Sequence, residues 1–337
     1  MTQSLPSTHP GPSDPAAALP GRRRRLLRLA AVAACVPYLS LKAAWISGSR
    51  IGIPAGSSLL DHRTALIVAN GLSMLADAAV IVLALVLTRP WGLRAPAWLL
   101  VFPAWAAGGL LAPIMTGYPL QLLVRVLGGG GDHASGGTRE PFLDEWVFGV
   151  VYGGFIVQGL ALGTLFALYA RDRWGHAWRG TLRQLPAGPA HPAQRVCAAL
   201  AALAALLPLA THTLWAAGGA SGLGEGRGER TSDFHVVEAV YVLFLLAALA
   251  GACLLAFRWV PGLPVRVPLA LAWTGSGATA CWGAYLLLVG LADAAGRPTP
   301  LTNLTYAGQM IVGILVAALG VHFLAERSAA AAERPPA

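Results

Sequence analysis

The chain has 337 residues, of which 56% are hydrophobic and 12% charged, with a mean hydropathy of +0.61. An average soluble domain is about 25% charged, so an ordinary soluble enzyme is excluded, and the composition is the reverse of that of a disordered chain. The net charge of +9 comes from 24 Lys and Arg against 15 Asp and Glu, and such a surplus points either to nucleic acid or to membrane topology.

Residues 1–20 are Pro, Ser, Thr and Ala without periodicity and read as a disordered tail. Beyond them, eight segments meet the roughly 20-residue apolar length that crosses a bilayer as a helix. They lie at about 26–47, 64–88, 95–118, 143–170, 195–218, 234–257, 266–291 and 303–325. Gly, Pro and Arg mark the connections, as in Arg89, Pro90 and Gly92. The expected fold class is all-α, a polytopic membrane protein.

Arg22 to Arg25, followed by an apolar run to Cys35, imitates a secretory signal. The run continues to Trp45 and Arg28 interrupts it, so a spanning helix is the better reading. With the N-terminus inside, sixteen arginines fall in inner segments and seven in outer loops, leaving Lys42 within the first span. The positive-inside bias predicts a cell-membrane protein with both termini cytoplasmic. It also removes the nucleic-acid reading, because no basic run is interleaved with aromatics on a soluble domain. Cys35, Cys197, Cys253 and Cys281 each stand alone in a span and read as small core residues.

The sequence repeats itself. Tyr152, Gly154, Gly159 and Arg173 fall in constant register on Tyr306, Gly308, Gly313 and Arg327. Lys42, Trp45 and Gly48 fall on His212, Trp215 and Gly218, and a weaker match sets Trp105 and Gly109 on Trp273 and Gly277. The expectation is a tandem duplication of a four-helix unit, at 21–173 and 195–327, with a cytoplasmic linker at 174–194 and a tail at 328–337.

Ionisable groups inside a bilayer cost at least about 2.5–3.5 kcal/mol each on insertion scales, so the few present are candidate functional groups. Asn70, Ser73 and Asp77 share one face of the second span. Lys42 leans inward from the first span while Asp77 leans outward from the second, which favours a direct or water-linked pair. The second unit has His212 in place of Lys42, and its acid is Glu238, three residues before Tyr241. Asp144 and Glu145 precede Phe148 and Tyr152, and Asn303 precedes Tyr306, so polar groups recur beside rings that would line an outer cavity. The competing reading for these span ends is a solvated interface with aromatic anchors. His62, His133, His212 and His235 all fall on the outer side, but no metal-ligand spacing accompanies them, and neither a metal nor another cofactor is expected.

Three functions fit this set. A carboxyl in low dielectric can act as an acid, with rings to steady a developing cation, which suits acid-initiated chemistry on a lipophilic isoprenoid. Asp77, Glu145 and Glu238 would be the acids. Lys42, Asn70, His212, Trp45, Trp215, Tyr152, Tyr241 and Tyr306 would be polar or binding partners. Alternatively Lys42, Asp77 and His212 form the relay of a small-solute or proton-coupled carrier, or the chain is a non-catalytic membrane partner.

The segments around Leu41, Lys42, Trp45 and Gly48 with Arg50 and Gly52, around Trp91 to Arg94 with Pro96 and Trp98, and around Asp144 to Trp146 resemble those of multi-span integral membrane proteins of high-GC actinobacteria. In size and helical character the chain is also similar to membrane-bound terpene cyclases of bacterial indole-terpenoid pathways. That likeness implies a lipophilic small-molecule substrate drawn from the bilayer, and is what sets the enzyme reading first.

Overall fold

In the computed structural model of the protein, the described residues are 21–57, 59–61, 63–129, 143–185, 188, 191–224, 231–292 and 298–332. The N-terminal tail, His62, His133 and the last residues of the C-terminal tail lie outside them. Eight helices carry the fold: α1 (Arg22–Ile46), α2 (Arg63–Val86), α3 (Ala97–Val124), α4 (Glu145–Trp174), α5 (His191–Ala216), α6 (Ser232–Phe257), α7 (Arg266–Ala292) and α8 (Pro300–Ala332). All eight are long and apolar enough to cross a membrane, and the chain is a polytopic integral membrane protein.

The helices exist because their backbones must be satisfied internally and their side chains tolerate lipid on one side. Prolines do not end them. Pro37, Pro103, Pro113, Pro119 and Pro208 lie inside α1, α3 and α5, and α3 runs past its expected end into a π-helical turn, Arg125–Gly129, that breaks at Gly128 with φ 93°. In a bilayer, neighbouring helices re-satisfy the groups a proline frees. At the other end of the chain, α8 outruns its expected limit of 325 because Ala329–Ala332 are strong helix formers.

The two halves share three helix contacts and differ in a fourth, since α6 packs closely on α7 while α2 barely touches α3. The first helix packs on the second and the fourth, α1 on α2 and α4, and α5 on α6 and α8; the third packs on the fourth in both. Between the halves α3 lies against α7 and α6. The segment between the halves is not a free linker. Leu182 and Arg183 donate to the carbonyls of Leu263 and Pro261 at 3.0 and 2.8 Å, and Leu182 and Leu185 enter the core formed by α5, α6, α7 and α8. Arg258 closes α6 in a left-handed conformation and donates to the Leu185 carbonyl at 2.8 Å; burial pulls its guanidinium below the usual arginine range, with Glu326 acting in the opposite sense.

The turns after α1 and α5 close in the same way. After α1, Gly48 N donates to Trp45 O at 3.1 Å and Ser49 N to Ala44 O at 2.8 Å; after α5, Gly218 N donates to Trp215 O at 3.1 Å and Gly219 N to Leu214 O at 2.8 Å. Both are Schellman closures, and Gly48 and Gly218 supply the positive φ, 98° and 92°, that they require. The indoles of Trp45 and Trp215 then donate six residues ahead, to the carbonyls of Ile51 (2.7 Å) and Ser221 (3.0 Å). These two tryptophans are therefore cap fasteners.

Candidate functional site

One buried base and one buried carboxyl group meet in each half. On α1, Lys42 sits in the last two turns with 8% of its surface exposed, and its Nζ donates to Asp77 Oδ2 of α2 at 2.6 Å. The ammonium also lies 5.0 Å from the Tyr38 ring centre and 6.0 Å from that of Phe155, a cation–π arrangement that helps hold a charge away from water. Tyr38 donates to Gln158 Oε1 at 2.9 Å, and Gln158 Nε2 to Cys35 Sγ at 3.1 Å, so α1 and α4 are tied beneath the pair. Asn70 and Ser73 share the face of Asp77 but spend their hydrogen bonds on their own helix, to Leu66 O and Asn70 O. They are not part of the pair.

The second site is sealed. His212 of α5 is fully buried and Glu238 of α6 is 3% exposed. Ring Nδ1 meets Glu238 Oε2 at 2.5 Å and ring Nε2 meets Gln309 Oε1 of α8 at 3.0 Å. Trp215, Tyr241 and Tyr306 surround the imidazole, with ring centres 5.5, 5.2 and 6.3 Å away. Gln309 Nε2 is buried without a hydrogen-bond partner.

That orphan amide defines the chemistry available. With Gln309 Oε1 facing the ring, Nε2 must carry a proton, and the His212–Glu238 pair then holds two protons between ring and carboxyl. Turning the amide over would point its NH2 at the ring, Nε2 would accept, and the pair would hold one proton fewer. Two self-consistent hydrogen-bond arrangements thus differ by a single proton.

Glu145 stands apart from both sites. Its side chain is 93% exposed at the start of α4, and Arg125 lies 3.7 Å from it. Arg125 also pairs with Asp233 of α6, which links the end of α3 to the starts of α4 and α6. Below this bridge, Tyr118, Tyr152, Tyr241 and Trp282 line a cleft of about 140 Å³ between the halves. Tyr152 meets Tyr118 at 4.7 Å and Phe148 at 6.0 Å. Tyr118, Tyr152, Tyr241 and Trp282 therefore gather around the cleft, while Asp77 is bonded to Lys42, Glu238 to His212, and Glu145 lies beside Arg125.

Four contributors escaped sequence reasoning. Gln158 and Gln309 each stand three residues after a ring, Phe155 and Tyr306, inside a span, and an uncharged amide in an apolar helix is the signal that would have found them. Arg125 and Asp233 lie near helix ends, where charge is ordinarily solvated. Among the described residues, no three His, Cys, Asp or Glu side chains cluster to hold a metal ion. Comparison with protein-family models, with curated proteins and with solved structures returns no match to this chain.

Proposed function

We propose that this chain is a proton-linked membrane carrier built from two four-helix units of common origin, with both termini in the cytoplasm, and that His212, Glu238 and Gln309 are its proton-binding site. The observation that carries the reading is the buried imidazole bonded at both nitrogens, beside an amide whose donor is unsatisfied. Buried groups of this kind are costly in a bilayer and mark relays and ion pathways. Duplication is supported by the matched Schellman closures and by Gly109 lying against Gly277: equivalent residues that touch are what a pseudo-two-fold axis along the membrane normal would bring together.

Lys42 and Asp77 take a different part in this reading. A carboxylate accepting from an ammonium is a counter-ion and has no proton to give, so the pair fastens α2 to α1. The test is proton flux into vesicles containing the full chain, driven by an imposed membrane potential and read with an enclosed pH dye. Flux above that of empty vesicles, abolished in His212→Ala and Glu238→Gln, is expected. Equal flux in protein-containing and empty vesicles overturns the reading.

A second reading keeps the likeness to membrane-bound terpene cyclases, and the ring-lined cleft favours it. Glu145, exposed and two turns before Tyr152 of the lining, would then supply the proton. Membranes containing the chain, offered prenylated aromatics, would form a cyclised product that Glu145→Gln lacks; absence of product with the native chain removes this reading.

A further inference from the structure

The two faces of the α3–α7 crossing are unequal. Trp273 of α7 stacks on Phe166 of α4, with ring centres 5.1 Å apart and planes 19° from parallel, and joins the core of the first unit. In the repeat register, Trp105 corresponds to Trp273, and Gly320 of α8 corresponds to Phe166. The ring is missing there, and a groove of about 620 Å³ opens between α3, α7 and α8, with Trp105 and Gly320 both in its wall. Its volume is that of a small-molecule site.

The wall is hydrocarbon and indole. The Trp105 N–H is already spent on Ser276 Oγ at 3.0 Å. Trp98 and Phe102 stand at the mouth, 71% and 63% exposed. The groove runs from mid-span toward the membrane edge that carries both described ends of the chain, because its residues come from the early turns of α3 and α7 and the late turns of α8. At that edge two exposed guanidiniums flank it: Arg94, four residues before Trp98, and Arg266, three before Leu269 of the lining.

We infer that this groove is a binding site for an anionic phospholipid, one acyl chain lying along Trp105 and Gly320 and the phosphate held by Arg94 and Arg266. Hydrocarbon is the occupant such a wall selects within a bilayer, and guanidiniums at headgroup depth on its flanks favour an anionic over a zwitterionic headgroup. The groove stands on its own lining; only the explanation of its origin rests on the repeat register, so failure of the carrier reading leaves it untouched.

The test reconstitutes the full chain in nanodiscs of phosphatidylcholine with increasing fractions of phosphatidylglycerol brominated on its acyl chains, and the converse mixture, and follows tryptophan quenching. A saturable phase at several-fold lower mole fraction of the brominated anionic lipid is expected. Gly320→Phe places a ring in the groove from a position where an added Cβ meets nothing within 4 Å; with an unfolding midpoint like that of the native chain, it should abolish that phase. Arg94→Gln with Arg266→Gln should keep the quenching amplitude while removing the preference for the anionic lipid. Identical, unsaturable quenching by both lipids overturns the site, as does an unchanged low-fraction phase in Gly320→Phe. So does a dimer that Gly320→Phe dissociates without altering quenching, which would assign the face to a second copy.

Discussion

The first and second units put a base at the same place, four residues before the end of their opening helix, and surround it differently. Lys42 and Asp77 each leave 10% of the side chain accessible, and α2, which carries the acid, packs on α1 with little support from α3. His212 and Glu238 are closed in at 0% and 4%, bonded to a third helix, and held by helices that touch backbone to backbone: Gly251 and Gly275 fix the approach of α6 and α7, and Gly283 and Gly313 that of α7 and α8. A loosely held helix needs a permanent charge pair to stay in register. A tightly held site can afford a group that changes charge. In the proposed carrier the first pair therefore serves attachment and the second proton exchange.

Breaking the first pair is expected to have the largest effect. Asp77→Asn leaves a buried ammonium unpaired and should cost about 3–5 kcal/mol, read as a lowered unfolding midpoint in detergent. Replacing both partners, Lys42→Met with Asp77→Leu, should recover most of that loss, because an apolar pair of similar volume is often neutral. A double variant as unstable as the single one would mean that the pair does more than fasten α2.

The next effect probes the tight unit. An added methyl at Gly275 would lie 2.3 Å from the Ala248 backbone nitrogen, so Gly275→Ala should cost about 1–3 kcal/mol by overpacking. Gly108→Ala in α3, with nothing within 4 Å of the added carbon, should be neutral or slightly stabilising by the same unfolding measurement. Equal losses at the two positions would erase the contrast between the units. Smaller still is Tyr38→Phe, which removes the bond to Gln158 and leaves the amide oxygen buried; about 0.5–1.5 kcal/mol is expected from thermal unfolding, with proton flux retained.

Much of this was legible in the chain. Eight apolar runs are a strong signal because a bilayer leaves the backbone no alternative to the helix. Helical lean and the cost of an unpaired buried ion pointed to a direct or water-linked Lys42–Asp77 pair, and the contact is direct. The approach of Glu238 to His212 was harder to read: Glu238 does not occupy the position of Asp77, so the repeat register could not predict its partner. Gln309 carries no charge and adds nothing to a search for ionisable groups, although it completes the site. The groove beside Trp105 was invisible because only the packing of α3, α7 and α8 turns a small residue such as Gly320 into space.

The most direct test of the central claim is nitrogen-15 NMR of histidine-labelled protein in lipid vesicles across a pH series, with His212→Gln assigning the signal. The account predicts that His212 passes from a ring protonated at both nitrogens to one protonated at a single nitrogen, in a step that Gln309→Leu alters. A His212 signal that holds one form across the whole series while the protein stays folded would contradict it.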